Sequence, residues 1–138
     1  MSKEISFGIL FKQIYDDLEK RVNDTLRYTD LTLAQMAALL IIREKSDKQM
    51  PLKELERSLR IAQSTTAGIV SRLEQKGFVE SLGQEDDKRI KIVSITAKGE
   101  QCCIEADKNL TRIEQEVLSK LTKTEKDKLL LLLKKIHS

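Results

Sequence analysis

Apolar residues recur at helical spacing from the first residues of the chain. Ile5, Ile9, Leu10, Ile14, Leu18, Val22 and Leu26 fall on one side of a helix predicted over residues 4–28, and Phe7, Phe11 and Tyr15 widen that stripe. The stripe is long for an isolated helix and predicts packing against a second surface, such as another subunit. Thr32-Leu33-Ala34-Gln35 then sets a hydroxyl at a helix start with an amide three residues on, the pattern of a capping box. The short helix it opens runs through Met36, Leu39, Leu40 and Ile42 and is expected at the centre of the core. Residues Ser46–Gln49 form a polar break.

Pro51 suits the first turn of the next helix, where its missing N–H would lack a partner anyway. That helix, LKELERSLR, is short, and a turn at Arg60-Ile61-Ala62 leads into another over Gln63–Lys76. Gly77 stands where a left-handed residue closes a helix. The period then shortens to two: Phe78–Leu82 and Ile90–Ile95 read as strands of a hairpin whose tip, GQEDDKR, is polar. Thr96 opens a long helix to about Leu121, with Ile104, Leu110, Ile113, Val117 and Leu121 predicted on one side. A second capping box, Thr122-Lys123-Thr124-Glu125, starts a last helix to about Ile136.

The 138 residues suit one domain, and 40% hydrophobic content suffices for a core. Aromatics are only 4%, with no Trp, which is thin for a surface that stacks bases on exposed rings. Charges interrupt the apolar N-terminal residues too often for a signal peptide, and no run reaches membrane-spanning length. A cytoplasmic protein without membrane contact is expected. The only cysteines, Cys102 and Cys103, are adjacent, which builds no disulfide framework, and neighbouring helical positions point about 100° apart. Two buried, inert thiols are the expectation. With His137 the single histidine, neither a zinc site nor a nucleophile–histidine pair has raw material, so no metal, cofactor or enzymatic activity is expected.

Net charge is +3, and residues 51–95 carry 8 basic against 7 acidic side chains, so bulk charge decides little. The local distribution says more. From Arg57 through Leu73 there are three arginines, Arg57, Arg60 and Arg72, and no Asp or Glu. Either this surface is kept clear for an anion or the spacing is chance.

Two short helices, a tight turn and a hairpin in this order describe a winged helix-turn-helix, whose second helix has the width of the major groove of B-DNA. On Gln63–Lys76, Ile69 and Leu73 are predicted to pin the helix to the core on a face shared with Thr65 and Thr66. Ser64, Ala67, Gly68, Ser71, Arg72 and Gln75 lie opposite. Gln63, Ser64 and Thr65 begin the helix, where amides and hydroxyls suit a phosphate. Ser64 and Thr65 can equally serve as helix caps. Gln63 also suits adenine, Ala67 a thymine methyl, and Arg72 a phosphate or guanine.

The chain resembles the multiple-antibiotic-resistance regulator (MarR) family. The resemblance rests on LTLAQMAALLII, on LKELERSLRIAQSTTAGIVSRLEQKGFVE with its Leu-Glu-x-x-Gly step, and on EDDKRIKIVSITAKG. The last carries a wing signature, Asp87-Lys88-Arg89, and a helix start, Ile95-Thr96-Ala97-Lys98-Gly99. The resemblance implies that Arg89 enters a minor groove with Asp87 orienting its guanidinium, and that Lys88 and Lys91 add phosphate contacts; a hairpin ion pair of Arg89 with Asp86 or Asp87 is the alternative. It also implies that the flanking helices dimerise, through Ile5, Ile9, Leu129, Leu130, Leu133 and Ile136. Three positions depart from the family: Gly68 replaces a larger, often basic residue, Ala62 a Ser or Thr cap, and Arg60 a frequent turn Gly.

The expectation is therefore a mainly α (α+β) single domain over 1–138: a winged helix-turn-helix lobe over 30–95, with long dimerisation helices at 1–29 and 96–138. Its expected activity is ligand-responsive repression, as a homodimer on a pseudo-palindromic double-stranded operator whose half-sites are about 34 Å apart. The implied effector, a small molecule, would sit between lobe and dimer helices. A winged-helix module that binds proteins and not DNA is the rival reading.

Overall fold

A computed structural model describes residues 6–29, 31–83 and 89–138. Helix α1 spans Phe7–Thr25, and Ser6 caps it by accepting from the Ile9 amide. It ends sooner than its apolar period suggests, because Leu26–Thr29 tightens into a single 3-10 turn. Helix α2, Leu33–Arg43, carries the predicted capping box in full. Thr32 Oγ1 accepts from the Gln35 amide at 3.2 Å, and Gln35 Oε1 from the Thr32 amide at 3.3 Å. Met36, Leu39 and Ile42 are buried. This helix is the hub of the molecule, touching α1, strand β1 (Gln49–Pro51), α3 (Leu52–Leu59), α4 (Gln63–Gln75), β3 (Lys91–Ile95) and α5 (Ala97–Val117).

Strand β1 begins at Gln49, the last residue of the predicted polar break, and makes the hairpin three-stranded. The order is β1-β3-β2, all antiparallel, with β2 at Val79–Gly83. Met50 faces Val93 across β1 and β3, and both side chains are buried. Three residues give too little alternation to announce a strand; burial of Met50 beside Val93 stabilises it. Pro51 ends β1 in extended conformation and serves as the N-cap position of α3, one place before the first turn.

The exit from α4 is a Schellman motif. The Phe78 amide donates to the Leu73 carbonyl at 2.9 Å and the Gly77 amide to the Glu74 carbonyl at 3.0 Å, with Gly77 at φ +80°. Thr96 Oγ1 then donates to the Gly77 carbonyl at 2.7 Å and accepts from the Gly99 amide, so one hydroxyl joins the end of α4 to the start of α5.

The inward line of α5 follows the predicted stripe at Leu110, Ile113 and Val117 but departs from it in the first half of the helix. Gly99, Cys102, Cys103, Ala106 and Ile113 are buried, while Ile104 is exposed. The line consists largely of small residues because α5 crosses the lobe closely. Both thiols are buried, and burial pushes both pKa values up, that of Cys103 to about 11. Arg43, from the end of α2, pairs with Asp107 of α5 at 2.8 Å. Arg21 of α1 pairs with Glu116 of α5 at 3.1 Å. Helix α6, Lys123–His137, has its own capping box and no buried residue.

Candidate nucleic-acid interface

Helix α4 divides cleanly between core and solvent. Thr66, Ile69, Val70 and Leu73 are buried at the i, i+3, i+4, i+7 spacing of one helical face. Gln63, Ser64, Thr65, Ala67, Gly68, Ser71, Arg72 and Gln75 are exposed. The predicted outward row is therefore outward. The two threonines separate, contrary to the shared face expected for them. Thr66 is only 1% exposed and donates its hydroxyl to the Ala62 carbonyl, whereas Thr65 faces solvent.

The helix start is open. Ala62 holds the N-cap position in extended conformation, and no side chain caps α4. Neither Ser64 nor Thr65 is the cap, so the capping alternative for them falls: both sit past the N-cap, inside the first turn. The first-turn amides and the positive end of the helix dipole are left for a ligand. At Gly68 an added Cβ would meet nothing within 4 Å. The absent side chain thus leaves bare backbone at the middle of the exposed row, where a partner can approach closely.

The other end of α4 is held firmly. Lys76 Nζ donates to Gln35 Oε1 at 2.9 Å, tying α4 to the hub helix, and Ser81 Oγ bonds the Glu74 carboxylate, tying it to β2. A shallow cleft lies between α3, α4 and the wing stem, lined by Leu52, Ala67, Val70, Ser71, Glu74 and Lys91. Ala67 and Ser71 of the exposed row thus share a depression with Lys91 of the wing. The sequence carries no signal for this cleft, which depends on how the sheet sits against α4.

Strands β2 and β3 form the wing stem, paired from Val79↔Ile95 to Gly83↔Lys91. Arg89 is exposed where the chain returns from the tip. Asp87 and Lys88, the other predicted wing residues, lie outside the described residues, as does Asp86, the alternative partner for Arg89. Of the predicted dimer residues, Ile9 (53%), Leu130 (54%), Leu133 (40%) and Ile136 (70%) are exposed in the single chain. Leu129 is half-buried, and Ile5 lies outside the described residues.

The family model of the MarR family matches residues 31–91, which run from the approach to α2 to the first residue of β3. Over that segment the chain is similar to the MarR family. Among its relatives, the HTH-type transcriptional regulator BilQ of Clostridium symbiosum (strain WAL-14163) is 36% identical over 84 residues. That match covers 61% of this chain and 58% of BilQ, so it spans little more than half of that relative's length. The multiple antibiotic resistance protein MarR of Escherichia coli (strain K12) is 29% identical over 133 residues, 96% of this chain and 91% of that protein. A crystal structure of a mutant E. coli MarR complexed with operator DNA superposes with a TM-score of 0.83 at 29% identity, covering 94% of this chain and 91% of that one. The helical winged helix-turn-helix architecture is thus that of the MarR family, wing and flanking helices included.

Proposed function

We propose that this chain is a MarR-family transcription regulator that binds double-stranded DNA as a homodimer and represses by occupying promoter sequence. The observation that carries the reading is the exposed row of α4 running from the uncapped start at Gln63 to Arg72. A core-facing row holds it rigidly, and it lies beside the wing stem. Such a rod fits a major groove, with Gln63, Ser64, Thr65, Ala67, Gly68, Ser71 and Arg72 toward the bases and phosphates. Arg89 reaches the flanking minor groove, where negative potential concentrates; the orienting role of Asp87 and the phosphate contacts of Lys88 and Lys91 are those the family resemblance implies. That a related MarR has been crystallised on operator DNA supports the same partner here.

The dimer brings two such rods to one duplex. Helix α6 has no fully buried residue within its own chain, and α1 leaves Phe7, Ile9, Leu10, Phe11, Ile14 and Tyr15 exposed. Apolar surface on this scale marks an association face. Residues 1–29 and 96–138 supply the paired scaffold, residues 30–95 form the reading lobe, and the whole chain is one domain. Two-fold pairing dictates a pseudo-palindromic operator with half-sites about one helical turn apart. A small-molecule effector between lobe and scaffold would change the spacing of the two rods and so weaken binding. The work is done in the cytoplasm and involves no catalysis; no described helix is long and apolar enough to cross a membrane.

Selection of bound duplexes from a random pool tests the reading. The expected product is a two-fold related motif with the half-site spacing of successive major grooves, with affinity falling steeply as salt is added. Recovery of no enriched duplex at low salt overturns it in favour of a protein-binding module.

A further inference from the structure

Apart from Arg89 of the wing, the arginines divide into two groups. Arg21, Arg27, Arg43 and Arg112 are all ion-paired, with Asp17 and Glu116, Asp24, Asp107, and Glu116 respectively. Arg57, Arg60 and Arg72 are exposed and form no ion pair among the described residues. These three bound the stretch without acidic residues, and together they span the end of α3, the turn, and α4. Two nearby acids are engaged elsewhere, Glu54 with Lys45 and Glu74 with Ser81, while Glu56 directly precedes Arg57.

Arg60 has a second peculiarity. It stands in the left-handed region, at φ +56° and ψ +39°, with its amide donating to the Glu56 and Arg57 carbonyls. That conformation is unfavourable for a residue with a Cβ, and glycine or asparagine is the usual occupant. Nothing in the folded chain returns the difference, since the Arg60 side chain engages no described acid. An arginine at a turn that suits glycine, beside the open start of α4, points to a partner outside the chain.

We propose that Arg57 and Arg60 grip the sugar-phosphate backbone of the duplex beside the groove entered by α4, extending the contact surface beyond the recognition helix and wing. The proposal rests on the DNA-binding reading above. Phosphate is the chemistry that fits, because a guanidinium matches its oxygens in a bidentate fork and needs no particular base. The contact fixes the orientation of α4 without contributing to sequence choice. Arg57 sits in the last turn of α3, where a cation also complements the helix dipole, and the salt dependence separates that structural role from a phosphate contact.

The test measures binding of the full-length protein to a selected duplex and to an unrelated one, across a salt series, for wild type, Arg57→Gln and Arg60→Gly, with thermal melting alongside. Both variants should bind both duplexes more weakly, with unchanged preference between them. The slope of log affinity against log salt should flatten by about 0.9 per lost phosphate contact, hence by about 2 for a dimer losing one per half-site. Arg60→Gly should melt no lower than wild type, because glycine suits that turn. Slopes equal to wild type in both variants overturn the proposal while leaving the DNA-binding reading intact. Failure of the wild-type protein to bind either duplex removes both.

Discussion

Gly99 lies against the carbonyl of Phe78 so closely that a Cβ added to it would stand 2.3 Å from that oxygen and 2.7 Å from Ile95 Cγ1. The glycine that follows the wing therefore has a packing reason: the first turn of α5 crosses the backbone that links α4 to β2. Gly99→Ala should lose about 1–3 kcal/mol or more, since the contact is backbone and cannot rotate away. Chemical denaturation checks this; a loss below half a kcal/mol contradicts the crossing described here.

Gly68 presents the opposite case. It lies inside α4 with open space around it, so Gly68→Ala should stabilise the protein by about 1 kcal/mol through helix propensity alone. If bare backbone at this point lets the duplex approach, the same variant binds operator more weakly at matched salt. Paired melting and binding measurements should move in opposite directions.

Arg89→Ala should weaken operator binding by about 1–3 kcal/mol without lowering the melting temperature. Arg89 is exposed, so its loss leaves no cavity. Unchanged affinity at matched salt would remove the wing from the interface.

Leu130 (54%) and Leu133 (40%) are exposed on a helix with no buried residue. The double substitution Leu130→Asp, Leu133→Asp should convert a dimer to monomer in sedimentation and abolish operator binding at concentrations that saturate wild type. A monomeric wild-type particle would end the two-fold account.

Cys103 supplies a pH dependence. Burial raises its pKa from 9.0 to about 11, and Arg43 opposes the shift only in part. Below pH 9 the thiol is protonated whether the chain is folded or not, and the full stability is present. Above it the unfolded chain ionises first, so stability should decline from pH 9 to about 11, by an amount on the order of 2 kcal/mol. Cys103→Ala should flatten that decline in denaturant titrations across this range. At neutral pH neither native thiol should react readily with a water-soluble disulfide reagent, because both are buried and protonated.

Local chemistry made much of this architecture legible. Thr32 with Gln35 and Thr122 with Glu125 signal helix starts by residue type and spacing alone, and Gly77 signals a helix end through its left-handed conformation. The exposed row of α4 follows from period. What escaped was set by partners distant in sequence. Three residues around Met50 become a strand only because Val93 lies opposite. The inward line of α5 runs through Gly99, Cys102 and Cys103 and leaves Ile104 outside because close crossing favours small side chains over hydrophobic ones. The left-handed state of Arg60 has no signature in the residue type; only the glycine frequent at this turn in the resembling family hints at it.

The three-residue strand at Met50 also has a mechanical meaning. Its last residue, Pro51, abuts Leu52 of the next helix with no intervening loop, while its other neighbour in the sheet is the descending strand of the wing. The finger and α3 are consequently welded at the root. A signal arriving through α1, α5 or α6 can aim this unit as a whole, like a tool head on an arm, but has no loop at which to bend the finger away from α3.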